Sequence, residues 1–339
     1  MICIAWWGFP QYAARCVASL VKSIDEKVVV VATRPAVPVG GMEALCGCVV
    51  HWVAPDSKIE LQTLLGEMPR VMFSSGWAIP TFNRFARQVK CHGGRVYAMV
   101  DNNMRLSVKE VLRMVKFRLF IRKTFDGYLV PGQSGRRLLK FYGVPESKVS
   151  TGMYSADASL FQDGESILKR PKRIVYVGQF CARKNIIRLV DAFLLSNARK
   201  NGWTLALYGC GPLKDAIPRD LSVEVHDFLQ PEDLAKVYKS ARVFALASLE
   251  EHWGLVVHEA VLSGCVLLLS DCIGAGEDFL SKQNGVCFNP HSVESMISAI
   301  NYLVGASDEY FLRAQEESLT VAKTVTVNDF ASGCIALMK

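Results

Sequence analysis

Glu251-His-Trp-Gly-Leu-Val-Val-His-Glu259 is the stretch of this sequence that says most about the fold. An apolar run typical of a buried strand, Val243–Ala247, precedes it, and a second such run, Cys265–Leu269, follows it. A strand that leads through a glycine into a helix exposes backbone N–H groups and the positive helix end at one place, which suits an anion. A carboxylate accepts hydrogen bonds from two hydroxyl groups, so the stretch favours a nucleotide-sugar pocket. The alternative interpretation is an amphipathic helix with two solvated glutamates on nearly one face.

Apolar runs alternate with segments of helical length in two successive series along the chain. The first series of predicted strands is Ile2–Trp6, Val28–Ala32, Cys48–Val53, Val71–Ser74, Val96–Val100 and Tyr128–Val130. The second is Ile174–Val177, Thr204–Tyr208, Val223–His226, Val243–Ala247, Cys265–Leu269 and Val286–Phe288. Nearly unbroken apolar strands that alternate with helices are typical of parallel sheets covered on both faces. The polar stretch Gln162–Arg173 between the series is predicted to be a linker.

Helices are predicted between many of these strands and in the C-terminal region. Their predicted bounds are Tyr12–Ile24, Val108–Phe120, Ile186–Arg199, Glu232–Ser240, Leu255–Ser263, Val293–Leu303, Tyr310–Val321 and Asn328–Met338.

The stretch Glu251–Glu259 resembles the E-x7-E motif of retaining glycosyltransferases of the GT4 family, also called glycosyl transferases group 1. The resemblance covers roughly residues 173–305 and implies the GT-B fold, in which two Rossmann-like α/β domains face a cleft. It implies that Glu259 holds the ribose and that Glu251, a candidate catalytic residue, faces the donor sugar. It also implies that backbone amides of four residues meet the sugar and the diphosphate: Trp253, Gly254, Leu255 and Val256.

A second segment of the resemblance begins with Gly178, directly after a predicted strand. The family has a lysine six residues after this glycine, and Lys184 matches it. The resemblance implies that Lys184 binds the diphosphate and takes part in catalysis as a cation. Where the family has an arginine, this chain has Gln179. Arg183 is a candidate replacement, although its side chain is expected to point away from that of Lys184.

The remaining candidate residues come from shorter motifs in the same order as in the family. The turn Tyr208-Gly-Cys-Gly-Pro-Leu213 implies that Gly209 approaches the nucleotide, and Phe228 lies in the loop expected near the base. In the first half, Gly8 follows the first strand, where the family places a loop close to donor and acceptor. Asp101 follows a strand and is a candidate for positioning the acceptor or the sugar 6-position. Its alternative role is to form a turn.

Length and composition predict two folded domains. A chain of 339 residues with 50% hydrophobic residues is too long for one ordinary core. The predicted boundaries are 1–165 for an acceptor-side domain, completed by a C-terminal helix at 325–339, and 171–324 for a nucleotide-sugar domain. The sequence predicts neither a signal peptide nor a membrane-spanning helix. The eleven cysteines lack paired C-x-x-C spacing, so zinc is not expected.

Charge is distributed unevenly along the chain. Residues 1–152 hold 21 of the 39 Lys and Arg but 10 of the 32 Asp and Glu, so this part is net positive and the remainder is net negative. Basic residues concentrate at 105–148, which indicates an anionic partner such as a membrane surface. The alternative is a set of solvated helix faces.

These observations predict a retaining transfer of sugar from a nucleoside diphosphate sugar to a glycan, lipid-linked or lipopolysaccharide-type acceptor. Neither a metal nor a cofactor is expected, and nucleic acid is not an expected partner. The predicted location is cytoplasmic, peripheral on a membrane. Two alternatives stay open. One is a nucleotide-sugar epimerase or a phosphorylase with the same two-domain form. The other is a catalytically inactive relative that binds an anionic polymer through residues 105–148.

Overall fold

The computed structural model describes residues 1–35, 40–104, 108–162 and 164–339. Arg105 of the basic region and Asp163 of the predicted linker lie outside these ranges. The described residues form two compact units. The first unit comprises Met1–Ser155 and Val325–Lys339, and the second comprises Ala156–Thr324.

A seven-stranded parallel sheet is the centre of the first unit, within its described residues. Its strand order is β3-β2-β1-β4-β5-β6-β7. Central strands such as β2 are buried along their whole length, which explains their unbroken runs of apolar residues. The strands are β1 (Ile2–Trp6), β2 (Val28–Ala32), β3 (Val49–Trp52), β4 (Val71–Ser75), β5 (Arg95–Met99), β6 (Gly127–Val130) and β7 (Val149–Thr151).

Helices of the first unit come from both ends of the chain. Those before the second unit are α1 (Gln11–Ser23), α2 (Met42–Cys46), α3 (Leu61–Leu65), α4 (Pro80–Cys91), α5 (Val108–Lys116) and α6 (Gln133–Phe141). The last helix, which we label α14 (Asn328–Met338), joins them. Phe330 of α14 is fully buried, with its ring 6.0 Å from that of Trp6. The Ser19 hydroxyl of α1 donates a hydrogen bond to the Val327 carbonyl at 2.8 Å.

The second unit contains a six-stranded parallel sheet in the order β10-β9-β8-β11-β12-β13. Its strands are β8 (Arg173–Val177), β9 (Thr204–Tyr208), β10 (Val223–His226), β11 (Val243–Leu246), β12 (Val266–Ser270) and β13 (Gly285–Phe288). Its helices are α7 (Ala158–Phe161), α8 (Ile186–Leu195), α9 (Pro231–Lys239), α10 (Leu255–Leu262), α11 (Gly276–Phe279), α12 (Val293–Val304) and α13 (Asp308–Ala322).

Each sheet reverses its strand order at one place. In the first unit the reversal lies between β1 and β4, and in the second between β8 and β11. In open α/β sheets, the crevice beyond the carboxyl ends of the strands at such a reversal is where ligands bind. The loops that follow these strand pairs are therefore the places where candidate sites are expected.

The structure differs from the sequence prediction at four elements. The helix predicted at Ile186–Arg199 ends at Leu195. All twelve predicted strands are present within one residue at either end, but strand β7 was missed. The helix predicted at Val108–Phe120 is α-helical only to Lys116 and continues as a π-helix over Phe117–Ile121. The stretch predicted as a linker packs into the second unit: Arg170 is buried and donates hydrogen bonds to the carbonyls of Glu165 and Ala241.

Candidate functional site

Lys184 and Glu251 form an ion pair at the strand-order reversal of the second unit. Glu251 lies in the loop after β11, and Lys184 lies in the loop after β8. The Lys184 ammonium donates a hydrogen bond to Glu251 Oε2, and the Ser248 hydroxyl donates to the same oxygen at 3.1 Å. The two charged side chains are only 10% and 11% exposed. A charge pair with little water around it interacts strongly and holds a defined geometry.

Arg183 joins this pair, against the expectation that its side chain points elsewhere. Its Nη1 lies 3.6 Å from Glu251 Oε2 and donates to the Glu250 carbonyl at 2.7 Å. The reason is local backbone geometry. Residues 182–184 form a 3-10 turn that ends at Asn185 in the left-handed conformation, with φ 57°. This compact turn lets two successive cationic side chains reach one carboxylate.

Gly254 begins helix α10 directly beside Glu251. Its φ of +93° lies in the left-handed region, and a Cβ there would be 3.1 Å from Glu251 Cγ. A side chain at this position would therefore be strained and crowded. The first backbone N–H groups of a helix lack partners within the helix, so α10 directs donors and its positive end toward this place. Leu255 and Val256 are the first two residues of α10.

Trp253 secures the turn that leads into α10. Its side chain is 1% exposed and packs edge-on against Phe279 at 5.9 Å. Its carbonyl accepts a hydrogen bond from the Ala275 N–H at 2.8 Å. Its backbone is therefore fixed next to the ion pair.

Glu259 occupies a different environment from Glu251. It lies one turn into α10, and its Oε2 accepts a hydrogen bond from the Tyr238 hydroxyl at 3.0 Å. Burial raises the pKa of the Glu259 carboxyl to about 7, although the Tyr238 hydrogen bond lowers it. The buried site therefore disfavours the ionised form of Glu259. Tyr238 carries no sequence signal of this contact and was missed.

His258, within the same stretch, has a structural role. Its Nδ1 accepts a hydrogen bond from the Ala156 N–H at 3.1 Å, and its Nε2 lies 3.0 Å from the Ala322 carbonyl. A neutral ring protonated at Nε2 satisfies both contacts. The side chain thus ties α10 to both ends of the second unit.

The glycine turn after β9 packs directly on the loop after β8. A Cβ at Gly209 would lie 1.9 Å from the Gly178 carbonyl oxygen, so only glycine fits there. The Phe180 N–H donates to the Cys210 carbonyl at 2.8 Å, which joins the two loops. Gln179, between them, is exposed, and its carbonyl accepts a hydrogen bond from the Tyr176 hydroxyl at 2.9 Å.

Phe228 lies in the loop after β10 and is 50% exposed. Nearby, at the carboxyl ends of β9 and β10, Tyr208 and His226 stack with ring centroids 4.5 Å apart. No motif in the sequence predicts this stacked pair. Flat, half-buried rings of this kind suit a nucleobase, since every base offers a π-face.

The first unit has its own pocket, of about 460 Å³, at the carboxyl ends of β1, β4 and β5. Aromatic side chains make up much of its wall, and Asp101 is among the polar residues that line it. The lining residues are Trp6, Trp7, Tyr12, Ser75, Gly76, Trp77, Ala78, Ile79, Met99, Asp101, Asn102, Met153 and Tyr154. Gly8 follows the pocket residue Trp7, and its N–H donates to the Thr33 hydroxyl at 2.8 Å.

The described residues contain no group of three or more His, Cys, Asp or Glu side chains placed to hold a metal ion. Within the same described ranges, no helix combines the length and the apolar character that crossing a bilayer requires.

Comparison with known proteins, like the motifs, indicates similarity to glycosyltransferases. Residues 171–306 match the family model described as glycosyl transferases group 1. This segment, less than half of the chain, resembles the group 1 glycosyltransferases.

The chain is also similar to curated proteins that are named glycosyltransferases. It is 29% identical over 133 residues to an uncharacterized glycosyltransferase of Methanocaldococcus jannaschii, which covers 37% of the chain. It is 25% identical over 198 residues to the D-inositol 3-phosphate glycosyltransferase of Nocardia farcinica, which covers 52% of the chain. The matched segments span 34% and 44% of the length of these two proteins.

Solved structures extend the likeness in fold over nearly the whole chain. The Anabaena protein Alr3699/HepE, in complex with UDP and glucose, aligns with a TM-score of 0.75 at 13% identity and covers 98% of both chains. WaaG, a glycosyltransferase involved in lipopolysaccharide biosynthesis, aligns with a TM-score of 0.66 at 12% identity, covering 100% of this chain and 99% of its own. At these identities the likeness concerns the fold, and the predicted α/β, GT-B class is confirmed.

Proposed function

We propose that this chain transfers a sugar, with retention of its anomeric configuration, from a nucleoside diphosphate sugar to a glycan or lipid-linked acceptor. The observation that carries the proposal is the assembly at the strand-order reversal of the second unit. Arg183 and Lys184 meet Glu251 there, beside the N-terminal end of α10 at Gly254. Two cations and a helix end together suit a diphosphate.

The donor would be held by several groups in the second unit. Lys184 and the first N–H groups of α10 would bind the diphosphate, and Glu251 would face the sugar. Glu259 would accept hydrogen bonds from the ribose hydroxyls, and Phe228 would lie beside the base. The group 1 family match over residues 171–306 and the solved complex of HepE with UDP and glucose support this assignment, and they make a uridine nucleotide the first donor to test.

Catalysis would be mainly electrostatic. As the glycosidic bond to the diphosphate breaks, negative charge grows on the leaving phosphate oxygen, where Lys184 and the helix end would stabilise it. The acceptor hydroxyl would attack from the same face, and its proton would pass to that phosphate oxygen. The products are a glycoside and a nucleoside diphosphate. This scheme uses neither a metal nor a separate protein base.

The acceptor would bind in the first unit. The aromatic pocket of about 460 Å³ contains Asp101, whose carboxylate suits an acceptor hydroxyl. The wall of this pocket has both apolar and polar side chains, which suits a glycan or a lipid-linked acceptor. The similarity of the fold to that of WaaG makes a lipopolysaccharide-type acceptor one candidate.

The alternative of an inactive relative that binds an anionic polymer is not favoured. Gln179 in place of the family's arginine would favour an inactive protein, but Arg183 supplies a second cation at the same site. Three aromatic residues of the basic region, Phe117, Phe125 and Tyr142, are buried in the core of the first unit and are not available to stack on bases.

The first test is thermal stabilisation by UDP, GDP, dTDP, ADP and CMP, each at about 1 mM. A ligand at a hundred times its dissociation constant adds about 2.7 kcal/mol to the folded state, which is visible as a melting shift. A shift with one diphosphate would identify the base. That nucleotide's sugars would then be tested as donors, with the anomeric configuration of the product read by NMR. No shift with any nucleotide, or a product of inverted configuration, would contradict the proposal.

A further inference from the structure

Helix α5 and the turns after it carry an unusual concentration of exposed apolar side chains. Among the large hydrophobic residues of the described chain that are exposed, six fall between residues 108 and 120. Leu112 is 65% exposed and Phe120 is 72% exposed. The full set is Val108, Val111, Leu112, Val115, Leu119 and Phe120. Exposed apolar patches on a folded protein generally mark an interaction surface.

Three stripes run along α5, and each has helical spacing. The apolar stripe, Val108, Val111, Leu112 and Val115, has the spacing i, i+3, i+4, i+7. A second stripe faces the protein and comprises Glu110, Met114 and Phe117. At 100° per residue, the apolar stripe lies on the side opposite this buried one. It therefore points outward.

The third stripe is basic and borders the apolar one. It consists of Lys109, Arg113 and Lys116, all exposed, and Arg122 and Lys123 continue it. Over residues 108–124 there are six Lys and Arg, and the one acidic residue, Glu110, is buried. An exposed apolar face with a basic margin is the pattern of helices that lie in a membrane interface.

The helix is fixed to the first unit by its inner side. Glu110 accepts a hydrogen bond from the buried Tyr142 hydroxyl, and Phe117 packs on the Tyr142 ring at 5.0 Å. Arg118 donates a hydrogen bond to the Tyr142 carbonyl at 2.9 Å. The exposed stripe is thus held outward by specific contacts.

We infer that residues 108–123 dock the first unit on an anionic lipid bilayer, with the apolar stripe inserted among the acyl chains and the basic stripe at the headgroups. The basic stripe beside the apolar stripe favours an anionic bilayer over the other partners considered. A second copy of the chain would bring two strongly basic surfaces together, and a nucleic acid would leave the apolar stripe in water. Basic side chains near anionic headgroups and apolar side chains below them satisfy both stripes at once.

One consequence concerns the acceptor and rests on the proposed function. Trp77 lines the pocket of the first unit and also packs on Phe117, with ring centroids 5.3 Å apart. The docking helix and the proposed acceptor pocket are therefore neighbours within one unit. A lipid-linked acceptor could present its headgroup to this pocket while its tail remains in the bilayer.

The test is flotation of the full chain with vesicles, without any nucleotide or acceptor, so that it reads docking independently of sugar transfer. Vesicles of phosphatidylglycerol and phosphatidylcholine are compared with phosphatidylcholine alone. We expect binding to the anionic vesicles, reduced at high salt yet retained in part, because apolar insertion is not screened.

The double variant Leu112→Gln/Leu119→Gln should lower the partition coefficient about tenfold or more, since two apolar side chains no longer enter lipid. The matched control is Leu195→Gln, which changes a 69% exposed leucine on α8 of the second unit and should bind like the wild type. Unchanged melting temperatures would show that the variants fold.

Three results would overturn the inference. One is the absence of binding to anionic vesicles, and another is wild-type binding by the leucine double variant. The third is a lipid-free dimer in sedimentation velocity that the double variant abolishes, which would assign the apolar stripe to a second copy of the chain.

Discussion

Glu259 is the residue whose protonation links stability to pH. Burial raises its pKa from 4.5 to about 7. At a pH between 4.5 and about 7, the Glu259 carboxyl is therefore protonated in the folded state and ionised in the unfolded state. The stability contributed by the protonated form is therefore lost as pH rises through about 7. We expect Glu259→Gln to be more stable than the wild type at pH 8 by on the order of 1 to 3 kcal/mol, and to lack this loss. Urea unfolding at pH 5 to 8 measures the difference, and parallel pH profiles for the two proteins would refute it.

The same ionisation should govern nucleotide binding if Glu259 holds the ribose. The ionised carboxylate accepts two hydroxyl donors, so the affinity for the stabilising nucleotide should rise between pH 6 and 8. Glu259→Gln should weaken binding and remove this rise. Calorimetric titrations at several pH values test both expectations.

Lys184 and Arg183 should contribute unequally to diphosphate binding. Lys184 is nearly buried with Glu251, whereas Arg183 is 39% exposed and more screened by water. We expect Lys184→Ala to weaken nucleoside diphosphate binding about tenfold to hundredfold, as for loss of a charged hydrogen bond, and Arg183→Ala to weaken it less. Binding of the free nucleoside should hardly change in either variant.

The control for these variants is Lys200→Ala, which replaces an exposed lysine of the second unit. This variant should bind nucleotides as the wild type does. Equal loss of nucleoside and diphosphate binding in Lys184→Ala would place its ammonium away from the phosphates.

The sequence motifs single out Lys184 and Glu251, which form an ion pair in the structure, but they do not predict the position of Arg183. Motif spacing fixes which residues fall in a loop, whereas side-chain direction depends on the exact turn. Here the left-handed Asn185 ends a 3-10 turn, and two neighbouring side chains consequently reach one carboxylate. Tyr238 was missed for a related reason. Its contact with Glu259 spans 21 residues and two helices, and no local pattern encodes it.

At the scale of elements, the turn into α10 depends on Gly254. An alanine there must adopt a φ near +93° and bring its Cβ close to Glu251 Cγ. We expect Gly254→Ala to cost about 1 to 2 kcal/mol of stability, the usual cost of left-handed backbone for an L-residue. It should also weaken nucleotide binding, because Glu251 and the first turn of α10 shift together.

The matched substitution is Gly276→Ala, at the start of α11. Gly276 has no positive φ, and a Cβ there would meet its nearest atom, Leu269 Cδ1, at 3.9 Å. The unfolding free energy of the Gly276→Ala variant should remain within about 0.5 kcal/mol of the wild-type value. Equal effects of both substitutions in chemical denaturation would show that backbone conformation at Gly254 is not what matters.

Long apolar elements could be predicted and short polar ones could not. Strand β2, Val-Val-Val-Val-Ala, is buried on both faces, and its unbroken apolar composition predicts a buried strand. Strand β7, Val-Ser-Thr, has three residues and no apolar run, and it forms because β6 offers it a parallel partner. Helix α5 was predicted too long because Phe117 to Ile121 keep helical spacing but form a π-helix.

At the scale of the whole molecule, α14 should stabilise the first unit and not the second. Phe330 is fully buried against Trp6, so Phe330→Ala should lower the stability of the first unit by about 3 to 5 kcal/mol. Hydrogen exchange resolves the units: amides of β1 and β7 should lose protection while those of β11 keep it.

Leu312→Ala on α13 serves as the control, since Leu312 is 44% exposed and its loss should change protection little. Earlier loss of protection in β11 than in β1 would show that α14 supports the second unit instead.

The two-unit organisation was foreseeable from the repeated strand–helix series, but the position of the boundary was not. The polar stretch Gln162–Arg173 has the composition of a linker, yet Arg170 is buried within the second unit. Its guanidinium is satisfied by the carbonyls of Glu165 and Ala241. Composition shows that a segment is polar. Only the folded structure shows whether its polar groups are hydrogen-bonded within the protein.

The separation of α14 from the rest of its unit has a consequence for synthesis on the ribosome. The second unit is one continuous segment, Ala156–Thr324, and leaves the exit tunnel complete before α14 does. The first unit is translated earlier but must wait for α14 to cover Trp6 and α1. Domains generally fold in the order in which they emerge. Here the order of completion is reversed. We expect the nascent first unit to keep an apolar face uncovered while the second unit is translated, and a ribosome-associated chaperone to bind that face.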